Sequence, residues 1–245
     1  MIISITLRTI ILSFILTTYC GDTYAHNKVV VVPLLGLESS DTESFALART
    51  LIVSPVGSDA IVNGAALLAS INSIQMISPA PSQTDPYLIK IEPGVYDIGT
   101  GNIAMNSFVD IEGSGIATTR ILGQGSNQYS VVTLQDDSEL RFLTVENTLD
   151  VSFVTRAITV AGTTGSMAQV RAISEGFRGQ AVVILSGREA TIRDSILIGS
   201  SASLGKVGTA NVITTQLDGP VISEGVARCI GAYDETFTAL DADCL

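Results

Sequence analysis

At 245 residues the chain exceeds the common size of one domain, yet all-β proteins reach this length undivided. Charged residues make up 15% of it, against a usual fraction of about 25%, and the abundant Gly, Ser, Thr and β-branched apolar residues favour sheet over helix. A net charge of −11 without any basic run argues against electrostatic binding to nucleic acid or to an anionic membrane surface, since both take clustered Lys and Arg.

The N-terminus reads as a cleavable signal peptide over residues 1–25. Arg8 precedes an apolar run at residues 9–16, and Thr23-Tyr24-Ala25 places small residues at both specificity positions. The run is too short to cross a bilayer, which takes about 20 apolar residues in a helix, and no later stretch qualifies as a transmembrane segment. The mature chain is expected to start at His26 and to be secreted, periplasmic or held at the cell surface. Cys20 follows Tyr19 rather than a small residue, which argues against a lipoprotein. Two cysteines then remain, Cys229 and Cys244, and export to an oxidising compartment predicts a disulfide between them. Closing a loop of about 15 residues contributes on the order of 3 kcal/mol in the chain-entropy account.

Residues 26–50 read as an N-terminal arm, with the strand-like Val29-Val30-Val31-Val32 followed by a polar stretch at 39–43. Leu51-Ile52-Val53 predicts a strand. Asn63 is the expected N-cap of a helix over 63–76, because Leu67, Leu68, Ile71 and Ile74 fall on one face at helical spacing. Pro79, Pro81 and Pro86 then mark an extended loop.

From Tyr87 onward, short apolar runs alternate with Gly, Asn, Asp and Ser, and none is long enough for a helix. Val132, Ile158 and Val183 recur every 25 or 26 residues, a spacing that signals a stacked repeat. Each coil cannot bury its apolar interior alone, so neighbours bury it together and pair their strands in parallel. The expectation is an all-β, single-stranded right-handed parallel β-helix over 51–245, capped by the helix at one end and by a disulfide-pinned tail at the other. An antiparallel sandwich is the structural alternative; it would show tight hairpin dipeptides, and Asp218-Gly219 is the only Asn-Gly or Asp-Gly pair.

Candidate binding residues are sparse. Arg141, Arg171 and Arg193 fall at matching places in three repeats, which predicts either a basic stripe for an acidic glycan or three local pairs with Glu and Asp. Asp136 and Asp137, with Glu139, form a carboxylate group suited to a calcium ion, or a solvated turn. The single histidine, His26, leaves no Ser-His-Asp, Cys-His or zinc arrangement. Without Trp, Tyr96 and Tyr129 are the candidate platforms for a sugar ring.

The stretch from Ile89 through Pro93-Gly94-Val95-Tyr96-Asp97 resembles the opening of the pectin methylesterases within the pectin-lyase-like β-helices. Residues 53–74, 142–148 and 180–184 are similar to further segments of that group, so the resemblance covers roughly 52–204. The whole chain also resembles exported bacterial β-helix proteins without assigned activity, which share the stretches at 93–97 and 109–115. The esterase resemblance implies a cleft at Gln180. It would put the general-acid aspartate on Ala202, within Ser201-Ala202-Ser203-Leu204, and it supplies no counterpart for the nucleophilic aspartate, the nearest carboxylate being Asp218. The later arginine motif is missing as well. Ester chemistry of this kind takes two carboxylates in close approach. The expected function is therefore a non-catalytic binding surface for a polysaccharide or cell-envelope component, through Gln180 and the three arginines. A carbohydrate-active esterase or lyase, working through Asp136, Asp137 or Asp218, is the alternative, and calcium is the only cofactor considered.

Overall fold

The structure is a computed structural model that describes residues 49–125, 130–206 and 208–245. The expected signal peptide, Cys20, His26, the arm as far as residue 48 and Tyr129 lie outside the described residues.

The chain winds repeatedly through three faces. The first face stacks Arg49–Val53, Tyr87–Ile91, Val109–Glu112, the first halves of Ser138–Asn147 and Thr164–Ser174, then Glu189–Arg193, Thr209–Ile213 and Val226–Ile230. The second stacks Gly94–Asp97, Thr119–Gly123, the second halves of the two long strands, Ile196–Gly199, Gln216–Asp218 and Tyr233–Asp234. The third stacks Ile103–Ala104, Val132–Leu134, Val154–Val160, Arg178–Ile184, Ala202–Lys206 and Val221–Ser223. Every pairing between these strands is parallel, and each strand pairs with its counterpart one coil away. This is a right-handed parallel β-helix, the hand that parallel crossovers adopt. The antiparallel sandwich is overturned.

Stacking turns each inward position into a ladder of apolar side chains. Ile89, Ile111, Leu140, Met167, Ile192 and Val212 pair in sequence on the first face, and all six are fully buried. Val132, Ile158, Val182 and Leu204 do the same on the third. Each such side chain contributes roughly 1.5–3 kcal/mol relative to exposure, and only a neighbouring coil supplies its cover.

The repeat is not constant. Along the first-face ladder from Ile111 through Leu140, Met167, Ile192 and Val212 to Cys229, successive coils take 29, 27, 25, 20 and 17 residues. The expected period of 25 or 26 describes only its middle. Ile158 pairs with Val182 rather than with Val183, whose partner is Thr159. The reason is that only the strands are held to register, while the turns between them are free to shorten.

One corner recurs in every coil from Phe142 on. Between the first and second faces stands a single left-handed residue: Phe142, Gln169, Asp194, Thr214 and Gly231, with φ of 58°, 53°, 50°, 46° and 65°. The ladders on either side place these five in one row.

The helix spans Ala60–Gln75 and begins earlier than its apolar pattern suggested. Asp59 is the N-cap, its Oδ1 accepting from the backbone N–H of Ile61 at 2.9 Å and of Val62 at 3.3 Å. Asn63 is instead a buried tie inside the first turns. Its Oδ1 accepts from the Val56 N–H at 2.8 Å, and its amide donates to the Val95 carbonyl at 3.2 Å. Leu67, Ile71 and Ile74 cover the first coil. Gly64 lies against the Asp97 carbonyl, where a Cβ would overlap the oxygen. At the other end the tail turns back, Cys229 N–H donates to the Ala242 carbonyl at 2.9 Å, and Cys229 is bonded to Cys244. The first strand starts at Arg49, two residues ahead of the expected boundary.

Candidate functional site

The outer side of the third face carries the candidate site. Side chains alternate along a strand, so Arg156, Gln180 and Ala202, which pair in register, form one row on it. Arg156 Nε donates to Gln180 Oε1 at 3.4 Å. Gly205, two coils below Thr159, leaves room for the Gln180 amide: a Cβ there would stand 3.3 Å from Nε2. The neighbouring outward row holds Thr133, Thr159, Val183, Gly205 and Ile222. Neither row contains a carboxylate among the described residues.

Arg156 is half-buried, and among the described residues no carboxylate lies within ion-pair distance of it. Burial pulls its guanidinium below the usual arginine range. At the start of the same two strands stand Phe153 and Phe177, 40% and 68% exposed, each one residue before the paired Val154 and Arg178. The Arg178 guanidinium lies 5.8 Å from the centre of the Phe177 ring, and it too has no ion-pair partner among the described residues.

The column below Gln180 is closed to acid chemistry. Ala202 is fully buried, and two residues before the Leu204–Val221 pair the next coil offers Gly219. Gly219 has φ +118°, and a Cβ on it would overlap the Gly199 carbonyl oxygen, so no side chain fits at that place. Asp218, its neighbour, ends a second-face strand opposite Ile198.

The three expected arginines do not form a stripe. Arg141 and Arg193 share a first-face row with Ala168 between them, whereas Arg171 pairs with Thr144 on the second face. Gln169 is the corner residue, so Arg171 lies beyond it and points from a different side. Arg141 is fully engaged: Nε to Glu112 at 3.0 Å, Nη1 to Asp110 at 3.5 Å, and Nη1 to Glu139 in a short contact. Lys90 reaches Glu112 at 3.1 Å and Arg193 reaches Glu139 at 3.6 Å. Burial pushes the Asp110 carboxyl up. Burial alone would raise Glu112 as well, but hydrogen bonds from Arg141 and Lys90 outweigh it and hold that carboxyl below its usual range.

Asp136 and Asp137 are used locally. Asp136 accepts from the backbone N–H of Thr163, which lowers its carboxyl, and Asp137 accepts from Thr164 Oγ1 at 2.7 Å. With Glu139 turned to the arginines, no group of three His, Cys, Asp or Glu among the described residues is placed to hold a metal ion. A shallow depression beside them is lined by Asp137, Glu139, Thr164, Ser166 and Thr191. Tyr96 is no sugar platform: it is fully buried, its hydroxyl donates to the Glu92 carbonyl at 2.9 Å, and burial, reinforced by the Glu92 charge, pushes its pKa up to about 12.

No protein-family model matches the chain, and no curated protein matches it in sequence. The solved structures it resembles are right-handed parallel β-helix proteins. The pectin methylesterase PemA from Erwinia chrysanthemi aligns at 12% identity and TM-score 0.49 over 67% of this chain and 61% of that one. A pectin methylesterase in complex with a hexasaccharide aligns at 12% identity and TM-score 0.47 over 66% of this chain and 60% of that one. The A-module of a mannuronan C-5 epimerase from Azotobacter vinelandii gives 13% identity and TM-score 0.45 over 72% of this chain and 55% of that one. The chain thus spans less than two thirds of the length of these proteins, and the likeness is one of fold. Among the described residues no helix is long and apolar enough to cross a membrane.

Proposed function

We propose that this protein is an exported, non-catalytic β-helix that binds a polysaccharide or another cell-surface component on the outer side of its third face. The observation that carries the reading is the column at Gln180. Ala202 stands in register with it and the side-chain-free Gly219 follows in the next coil, so neither of two cooperating carboxylates is at hand. What remains there is suited to holding: an amide, a guanidinium and exposed aromatic rings. The disulfide between Cys229 and Cys244 supports an address in an oxidising compartment.

The test pairs binding with turnover. Affinity electrophoresis through gels containing pectin, alginate, xylan or cellulose derivatives is expected to retard the protein in at least one gel. Incubation with highly methyl-esterified pectin is expected to release neither methanol nor unsaturated products. Methanol release that disappears in Asp218→Ala would replace this reading with the esterase alternative. Free migration in every gel would remove the binding role.

A further inference from the structure

Among the arginines of the first coils, charge is neutralised locally: Arg49 meets Asp85 at 2.9 Å, Arg120 meets Glu146 at 2.6 Å, and Arg141 is ringed by three carboxylates. The third face departs from this rule. Arg156 is half-buried yet touches only the neutral Gln180 amide, and Arg178 rests on the Phe177 ring. The acids of the adjoining turns, Asp150 and Glu175, form no ion pair with either guanidinium. In a chain of net charge −11 carboxylates are plentiful, so two bare guanidinia on one face are a local exception. A partly desolvated, unpaired cation costs free energy that a bound anion returns.

The aromatic rings give the anion a setting. Phe153 and Phe177 precede paired residues of adjacent coils, so they recur along the stack at the strand spacing of about 4.8 Å, on the same strands that carry Arg156 and Arg178. Exposed rings beside cations suit a ligand with an apolar face and a negative edge. A hexuronate unit has both: axial C–H bonds on one ring face and a carboxylate at C5. A neutral glycan would use the rings and leave the guanidinia bare.

We infer that the ligand is a carboxylated polysaccharide, with Arg156 and Arg178 taking uronate carboxylates and Phe153 and Phe177 supporting the sugar rings. This rests on the binding role proposed above and adds the ligand's chemistry and its contact residues. Both guanidinia present N–H forks that match a carboxylate, so the interaction weakens with added salt.

The experiment compares three probes on the full protein by affinity electrophoresis and calorimetry: polygalacturonate, its fully methyl-esterified and therefore neutral form, and dextran sulfate. Polygalacturonate is expected to bind, more weakly at high salt, and the esterified form to bind at least about tenfold less. Arg178→Gln, an exposed change, and Arg156→Gln are each expected to weaken polygalacturonate binding several-fold. Phe177→Ala is expected to weaken it as well, and Arg171→Gln, on the second face, to leave it unchanged. Thermal melting of each variant confirms that it is folded. Equal binding of acidic and esterified polymer overturns the carboxylate inference while the glycan-binding role stands. Binding of dextran sulfate alone overturns it in favour of sulfate esters. Equal loss on Arg171→Gln places the contact on another face, and no binding to any probe or to the wider gel panel removes both readings.

Discussion

Arg141 draws Asp110, Glu112 and Glu139 together from two adjacent coils, and Glu112 is shared with Lys90. Removing the guanidinium while keeping its aliphatic bulk leaves three acids facing one another beside a single lysine and Arg193. Arg141→Met is expected to destabilise the fold by about 1–3 kcal/mol at pH 7, measured as a lower urea midpoint with an unchanged m-value. The loss should shrink in acid. Glu112 is held below the ordinary glutamate value of 4.5 in the folded protein, so its contribution is whole above that value and drains as pH falls through the lowered one. Asp110 runs the other way, because burial raises it and protonation relieves that cost. A variant as stable as the parent at pH 7 would show that the cluster is merely solvated charge.

The corner between the first and second faces is the element that organises the outer surface. Phe142, Gln169, Asp194 and Thr214 adopt there a left-handed conformation that costs an L-residue roughly 1–2 kcal/mol, and only Gly231 avoids it. Gln169 is exposed, so Gln169→Gly relieves the strain without removing packing. It is expected to raise stability by up to about 1 kcal/mol in urea denaturation, whereas Ala168→Gly, one residue earlier in regular strand, is expected to lower it. The same corner explains what was legible from the residues. Apolar runs such as those at 87–91 and 182–185 were readable, because burial between coils demands them. A corner that accepts Phe, Gln, Asp, Thr or Gly leaves no composition to read, so Arg171 was aligned with Arg141 when a face separates them. A one-residue slip at Val183 had a similar effect on the site. Aligning Ile158 with Val182 would have brought Phe153 above Phe177 and Arg156 above Gln180; the slip hid both pairs. Gln180 and Ala202 were found because a resemblance to a known motif set their register. Asn63 was taken for a cap because it precedes the apolar stripe, but the helix begins at Ala60, among residues that its buried side does not use.

Over the whole molecule, stability is a chain of neighbour contacts between coils, and the ends are where it is weakest. The helix closes one end. At the other, the last first-face strand is held by the turned-back tail, through the Cys229–Cys244 bond and the Cys229-to-Ala242 hydrogen bond. Cys244→Ser is expected to cost about 3 kcal/mol. Hydrogen exchange should show the amides of Cys229, Tyr233 and Leu240 losing protection first, with Ile111 still slow. Uniform loss across all coils would mean that the stack unfolds as one unit and that the tail guards nothing in particular. The shortening of successive coils from 29 to 17 residues has a consequence for neighbours as well. Two molecules meeting head to tail would bring a narrow turn against a wide one, and strands aligned on one side would run out of step on the other two. Fibre growth by repeated end-to-end pairing needs matching outlines, and the taper denies them.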